Sequence, residues 1–302
     1  MDNVRGRVAR RRQIDRAFSV MGAVCTCVGL LTIAILLGAL AWQGLGRITW
    51  QFLTSFPSRF PAKAGILSAL VGTALVTLVT VIVTIPVGVA TAIYLDEFAP
   101  RSRLASFIEL NIANLAGVPS IVYGLLALGL FVYRMKLGHS IAAAGLTLGL
   151  LVLPIVIVAS REALRSIPQD IREASFAQGA TRWQTVRHHL LPYSLSGIAT
   201  GVIIAISRAM GETAPLVTVG ALTFIAFLPP SPLMDTPPFV NFAWLESPFT
   251  VLPIQVFNWI SRPQKEFHEL AAAAALLLIL ATLLMNSLAI WLRRRARRRT
   301  SW

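Results

Sequence analysis

The chain has 302 residues, of which 56% are hydrophobic and 13% charged, and its formal net charge is +14. Soluble domains carry about 25% charged residues, so this composition excludes a water-soluble globule and fits a chain whose solvent is largely lipid. Such a positive charge would suggest nucleic acid in a soluble protein, but here the basic residues stand in short runs beside apolar segments, which fits membrane topology, and no aromatics interleave with them.

In chain order, a basic tail (1–16) carries Arg5, Arg7, Arg10, Arg11, Arg12 and Arg16, followed by an apolar stretch over 17–42. That stretch exceeds the apolar region of a signal peptide and reads as a retained membrane helix. Cys25 and Cys27 inside it are two positions apart, on different helix faces, and read as small apolar residues rather than a metal or disulfide pair. Further spans are predicted over 66–95, 104–133, 141–160, 192–228 and 270–291, each near or above the ~20 residues needed to cross a bilayer. Residues 17–64 make the first span with its outer loop. Residues 65–292 make the main transmembrane domain, and 293–302 a second basic tail. The expectation is an all-α polytopic membrane protein with six transmembrane helices.

Two spans contain irregularities. In the third, Asn114, Pro119, Ser120 and Tyr123 break the apolar run, either to line a protected path or to make helix contacts. The fifth is too long for one straight crossing, so it is tilted, kinked or broken, with Gly211 and Pro215 as the hinge.

Six spans place both termini on one side. The two tails, Arg101, Arg103, and Arg161, Arg165, Arg172, Arg182 and Arg187 put nineteen of the 27 basic residues on that side. The positive-inside rule makes it the cytoplasm, where the tails anchor the ends against anionic headgroups. The opposite side carries a loop over 229–269 rich in proline and aromatic residues, among them Pro229, Pro237, Pro238, Phe239 and Trp244. Such a mixture is not a plain flexible linker.

The cytoplasmic connection over 161–191 reads as helix, glycine, helix. Ser166 with Gln169 suggests a capping box and Pro168 suits a first turn. Gly179 ends this helix, and Thr181 with Gln184 suggests a second capping box, opening a short helix that ends at Leu191-Pro192. The plain alternative is an ordinary amphipathic helix at the membrane surface.

Arg208 and Glu212 are the charges well inside the fifth span. A buried arginine costs about 2.5–3.5 kcal/mol on insertion scales, and the i, i+4 spacing lets the pair meet on one helix face. A guanidinium presents a donor fork suited to phosphate oxygens, so Arg208 is the candidate cation of a substrate path and Glu212 its partner. A salt bridge that only positions helices is the competing reading. Arg161, at the cytoplasmic edge of the fourth span, is a further path candidate or else a topology anchor. Asn114 and Ser120 are candidates of the same kind, or packing residues. The three lysines, Lys63, Lys136 and Lys265, do not follow glycine, so no P-loop is present.

Glu173-Ala174, Gly179 and Leu191-Pro192 resemble the EAA loop of type I ATP-binding-cassette (ABC) importer permeases, with Ser175 where that motif has its second alanine. The resemblance implies a coupling helix that docks on a cytoplasmic ATPase. Residues 208–216 (RAMGETAPL), 114–124 (NLAGVPSIVYG) and 253–274 (PIQVFNWISRPQKEFHELAAAA) are similar to the PstA family, the permeases of bacterial phosphate importers. That likeness implies a non-enzymatic subunit of the bacterial inner (plasma) membrane with no cofactor of its own. ATP and Mg would be bound by a PstB-like ATPase dimer. A PstC-like second permease and a periplasmic or lipid-anchored, PstS-like phosphate-binding protein would complete the assembly. Sulfate or molybdate as cargo, and a phosphate-sensing regulator without transport, remain alternatives. An ion-driven carrier is disfavoured by the scarcity of titratable groups in the spans.

Overall fold

The computed structural model describes residues 2–100, 102–232 and 241–297. Arg101, Pro237, Pro238, Phe239 and the last basic residues, Arg298 and Arg299, lie outside them. Among the described residues every regular element is helical. Among the described residues five helices are long and apolar enough to cross a membrane, and the number is six where the bent pair over 103–134 is counted as one span rather than a re-entrant loop.

Helix α1 (Asp2–Gly44) absorbs the basic tail into one continuous helix with the first span. Nothing in the tail breaks a helix, so the expected boundary at 16 is absent. The end of α1 meets the start of the last long helix, α12 (Lys265–Arg297). A Cβ on Gly44 would strike the backbone of Ala273, and Arg47 pairs with Glu269 at 2.7 Å. The two helices therefore run in opposite directions from this contact. A short α2 (Trp50–Thr54), capped by the Thr49 side chain, leads into α3 (Leu67–Ile93). The Thr73 and Thr80 hydroxyls fold back onto the Ala69 and Val76 carbonyls, which satisfies them inside an apolar helix. A π-helical turn, Tyr94–Phe98, closes α3.

The third predicted span is not a single helix. It forms α4 (Arg103–Leu115) and α5 (Ser120–Ala127), which continues through a π segment to Arg134; the two halves meet at 108°. The cause is local. Pro119 has no N–H to give and biases Val118 away from helical backbone, so the helix stops before the Gly117–Pro119 link. Tyr123 fastens the bend by donating to the Leu115 carbonyl at 2.7 Å.

Helix α6 (Ile141–Arg165), capped by Ser140, outruns its predicted end by a turn and forms the centre of the bundle. It packs on α3 through Val76, Val79, Leu148, Val152 and Val156, all buried. Its other side meets α9 (Leu191–Gly211), where a Cβ on Gly201 would collide with Ala159. Small residues allow this close helix approach where lipid supplies no hydrophobic drive.

Between α6 and α9 lie α7 (Gln169–Ala177) and α8 (Arg182–Thr185). Helix α8 does not end at Leu191-Pro192 as the sequence suggested. It runs through a π turn, Val186–Leu190, directly into α9, giving one helical stretch over Arg182–Gly211. Pro192 follows this π turn within the continuous stretch, so its missing N–H falls where the helix leaves α geometry. The fifth span is also shorter than predicted. It breaks at Gly211, a short α10 (Ala214–Val219) follows, and Gly220 ends it at φ 94°. Residues 221–232 contain no helix. The outer loop expected over 229–269 contains α11 (Leu252–Ile260) and the first turn of α12.

Candidate functional site

The charged pair within the membrane forms at the end of α9. Gly211 closes the helix, Glu212 takes extended backbone (φ −78°, ψ 127°), and Pro215 falls in the first turn of α10. Pro215 thus starts a helix instead of freeing a carbonyl within one. Arg208 Nε donates to Glu212 Oε1 at 3.1 Å, with the side chains 41% and 19% exposed. Among the described residues this is the only ion pair Arg208 makes, so the rest of the guanidinium fork is open. Beside it the Ser207 hydroxyl donates to Asn286 Oδ1 and joins α9 to α12. Tyr123, on α5, lies within electrostatic reach of Arg208. Ser120 stands half-buried and Asn114 exposed at the α4–α5 bend, one helix start and one helix end away from Tyr123.

Arg161 is a separate feature. The longer α6 carries it inside the bundle, 8% exposed, rather than into the cytoplasmic loop. Its Nη2 lies 2.6 Å from Glu109 Oε1 on α4. The approach is that of an ion pair rather than a directed hydrogen bond, and Nε has no partner. Glu109 was not foreseen, because nothing local marks it as the mate of a residue 52 positions away.

The connecting segment is built by its caps. Ser166 does not cap α7. Its hydroxyl donates back to the Ala163 carbonyl as the last turn of α6, and Pro168 precedes α7. At the other end Gly179, with φ 81°, receives the chain in a left-handed turn. The Gly179 and Ala180 N–H groups bond the Phe176 and Ser175 carbonyls at 2.9 and 3.2 Å, a Schellman closure. Thr181 and Gln184 form the reciprocal capping box that opens α8. Ser175, the departure from the motif, is buried with its hydroxyl 2.9 Å from Thr185 Oγ1, linking α7 to α8. Glu173, Ala174, Phe176 and Ala177 face outward; Leu191 is half-buried and Pro192 exposed.

The inward side of α7 carries a charge cluster that sequence reasoning missed. Arg172 reaches Glu97 Oε1 from Nε at 3.0 Å and from Nη2 at 2.9 Å. It also donates to the Ile167 and Leu164 carbonyls at 2.9 and 3.0 Å. Arg165 Nε donates to Asp96 Oδ1 at 2.8 Å. Both acids belong to the π turn that ends α3. Together they border an open cavity of about 1120 Å³ between the end of α3, the start of α4 and the α6–α7 link. No group of three metal-ligating side chains occurs among the described residues.

Residues 84–300 match the family described as binding-protein-dependent transport system inner membrane component. The chain is 31% identical over 294 residues to the phosphate transport system permease protein PstA of Yersinia pestis, covering 96% of this chain and 93% of the relative. It is 30% identical over 288 residues to the probable ABC transporter permease protein YqgI of Bacillus subtilis, covering 93% and 96%. With PstA 1 of Mycobacterium tuberculosis H37Rv the identity is 36% over 203 residues, covering 67% and 65%. Among solved structures, an inward-facing form of the MetNI methionine ABC transporter superposes with a TM-score of 0.59 at 19% identity, over 74% of this chain and 93% of that one.

Proposed function

The chain belongs to the family of binding-protein-dependent transport system inner membrane components, and we infer from that premise that its cargo is inorganic phosphate. It is an ABC importer permease subunit with the type I permease fold, a multi-pass protein of the bacterial inner membrane and not itself an enzyme. Such permeases work with an ATPase and a substrate-binding protein.

The observation that carries the phosphate reading is the combination of phosphate-permease relatives with an open arginine fork inside the membrane. Arg208 is held by one hydrogen bond to Glu212. Its remaining donors are free to meet an oxyanion, whose oxygens accept charge-assisted bonds stronger than neutral ones. Glu212 keeps the guanidinium compensated when no anion is present, which limits the cost of a charge within an apolar span. Arg161, with its unpartnered Nε, is a second cation toward the cytoplasmic end. Asn114 and Ser120, at the bend beside Tyr123, are the weaker path candidates.

In this reading both termini are cytoplasmic. The chain pairs with a PstC-like permease, receives phosphate from a PstS-like binding protein and couples through α7 to a PstB-like ATPase dimer that binds ATP and Mg. Glu173 and Ala174 present the docking face, Gly179 sets its angle, and Leu191 and Pro192 lead the motion into α9. Gly211 and Pro215 are the hinge beside Arg208. Sulfate or molybdate would satisfy the same guanidinium, so the relatives and not the chemistry favour phosphate.

The test is oxyanion-stimulated ATP hydrolysis and uptake in proteoliposomes holding the full complex and binding protein. Phosphate, but not sulfate, is expected to stimulate the native complex. Arg208→Ala is expected to lower uptake about 10- to 100-fold, as lost charge-assisted bonds of about 1.5–3 kcal/mol imply, with assembly intact. Stimulation by sulfate or molybdate alone overturns the phosphate reading, and native uptake by Arg208→Ala removes this residue from the path.

A further inference from the structure

We propose that Arg172 is the positioning residue by which α7 grips the end of α3, so that motion received on the outer face of α7 passes directly into the second span. The inference rests on the importer reading above and names how its force is transmitted.

Helix α7 has two faces with different chemistry. Glu173, Ala174 and Ala177 are exposed and open to a docking partner. Arg172 turns the other way and is 14% exposed, against Glu97 at 11%. Its guanidinium engages three separate pieces of chain at once. They are the carboxylate of Glu97 on the π turn, the Leu164 carbonyl in the last turn of α6, and the Ile167 carbonyl in the link. The Leu164 carbonyl belongs to the last turn of α6, where carbonyls lack a partner within the helix, and it also accepts the Ile167 N–H at 3.3 Å. Asp96 adds a second tie, through Arg165, between the same π turn and α6.

Nearby apolar packing does not replace this grip. Ala92, Leu164, Ile167, Val186 and Leu190 bury a common cluster with Ile171 and Phe98 against it. Apolar contact is non-directional and lets packed elements slide, whereas a planar guanidinium fork fixes both distance and angle. The π geometry also bears on the placement of Asp96 and Glu97, since a π turn inserts an extra residue and re-aims the side chains after it. Span two is therefore held to the coupling segment by bonds that resist sliding. In this proposal Arg172 acts through α3.

The experiment measures cargo uptake per ATP hydrolysed in full complexes isolated through a tag on this chain, so that unassembled ATPase is left behind. Reduced assembly lowers both quantities together and leaves their ratio unchanged; impaired transmission lowers the ratio. Glu97→Gln keeps the shape of the side chain and weakens the tie. It is expected to assemble, to keep basal hydrolysis and to lower the ratio about tenfold, the upper part of the range for coupling residues. The pair Glu97→Met with Arg172→Met removes both charges, so no unpaired ion is left buried to oppose folding. It is expected to assemble with an equally low ratio, and Arg172→Lys to recover part of it. A native ratio in either Glu97→Gln or the double variant overturns the proposal. Failure of both to assemble also overturns it, reducing the cluster to a device of folding. If the native complex responds only to another oxyanion, the phosphate reading fails, and the same ratio taken with that anion still decides the role of Arg172.

Discussion

Two of the arginine–glutamate pairs among the described residues differ in how firmly they are tied. Arg208 and Glu212 are four residues apart, joined by one hydrogen bond, and Arg208 is 41% exposed. Arg172 and Glu97 are 75 residues apart, joined by two hydrogen bonds and nearly buried, with two backbone carbonyls completing the arginine. The first pair is arranged to be opened, because little besides one bond holds it. The second is arranged to stay shut, because breaking it strands an acid and an arginine away from solvent. Charge in a membrane protein thus serves as a labile contact or as a rivet, and the number of additional partners tells which.

Three substitutions sharpen this contrast on stability. The largest effect belongs to Arg172→Ala, which leaves Glu97 buried without its main partner. The expected loss is about 3–5 kcal/mol, read as earlier thermal unfolding in detergent or faster proteolysis across residues 94–98 and 169–177. An effect below that of a surface pair would erase the distinction between the two arginines. Ser175→Ala comes next. It removes the α7–α8 link but leaves Thr185 bonded to the Thr181 carbonyl at 3.1 Å, so a loss of about 1 kcal/mol is expected, measured in the same melt. The smallest effect is predicted for Glu212→Gln. A partly exposed i, i+4 pair contributes about 0.5 kcal/mol, so its melt stays near native even where transport falls.

The same contrast explains what was legible in the sequence. Arg208–Glu212, the Thr181–Gln184 box and the turn at Gly179 are local, fixed by helical spacing or by one residue's backbone freedom, and each forms as the spacing predicts. Five of the six expected spans follow from apolar run length, while the third is bent by 108°. Asp96, Glu97 and Glu109 are visible as charges, but their partners are 69, 75 and 52 positions away and meet them only after α3 and α4 pack around α6. Asn286 is likewise an isolated amide in an apolar run until α12 reaches Ser207. Boundaries erred where a helix continued without a change in hydropathy. The end of α6 ran on to Arg165, which turned Ser166 from a start signal into a stop. The α8–α9 junction ran on because a π turn, Val186–Leu190, carries the helix past Pro192. Pro119 erred in the opposite sense, since its neighbours Gly117 and Val118 leave nothing to carry the helix across it.

The uninterrupted run from Arg182 to Gly211 makes this part of the chain a lever. At the helical rise, Thr181 lies about 30 Å from the tight contact of Gly201 with Ala159, and Arg208 lies about 10 Å beyond that contact on the other side. If that contact is the fulcrum, the arms stand near three to one, so a displacement of about 3 Å at the capped end reaches Arg208 as about 1 Å with threefold the force. Arg208 and Glu212 both ride on that end of the helix, so the pair travels as a unit, and its opening calls for a bend at the Gly211 break between them.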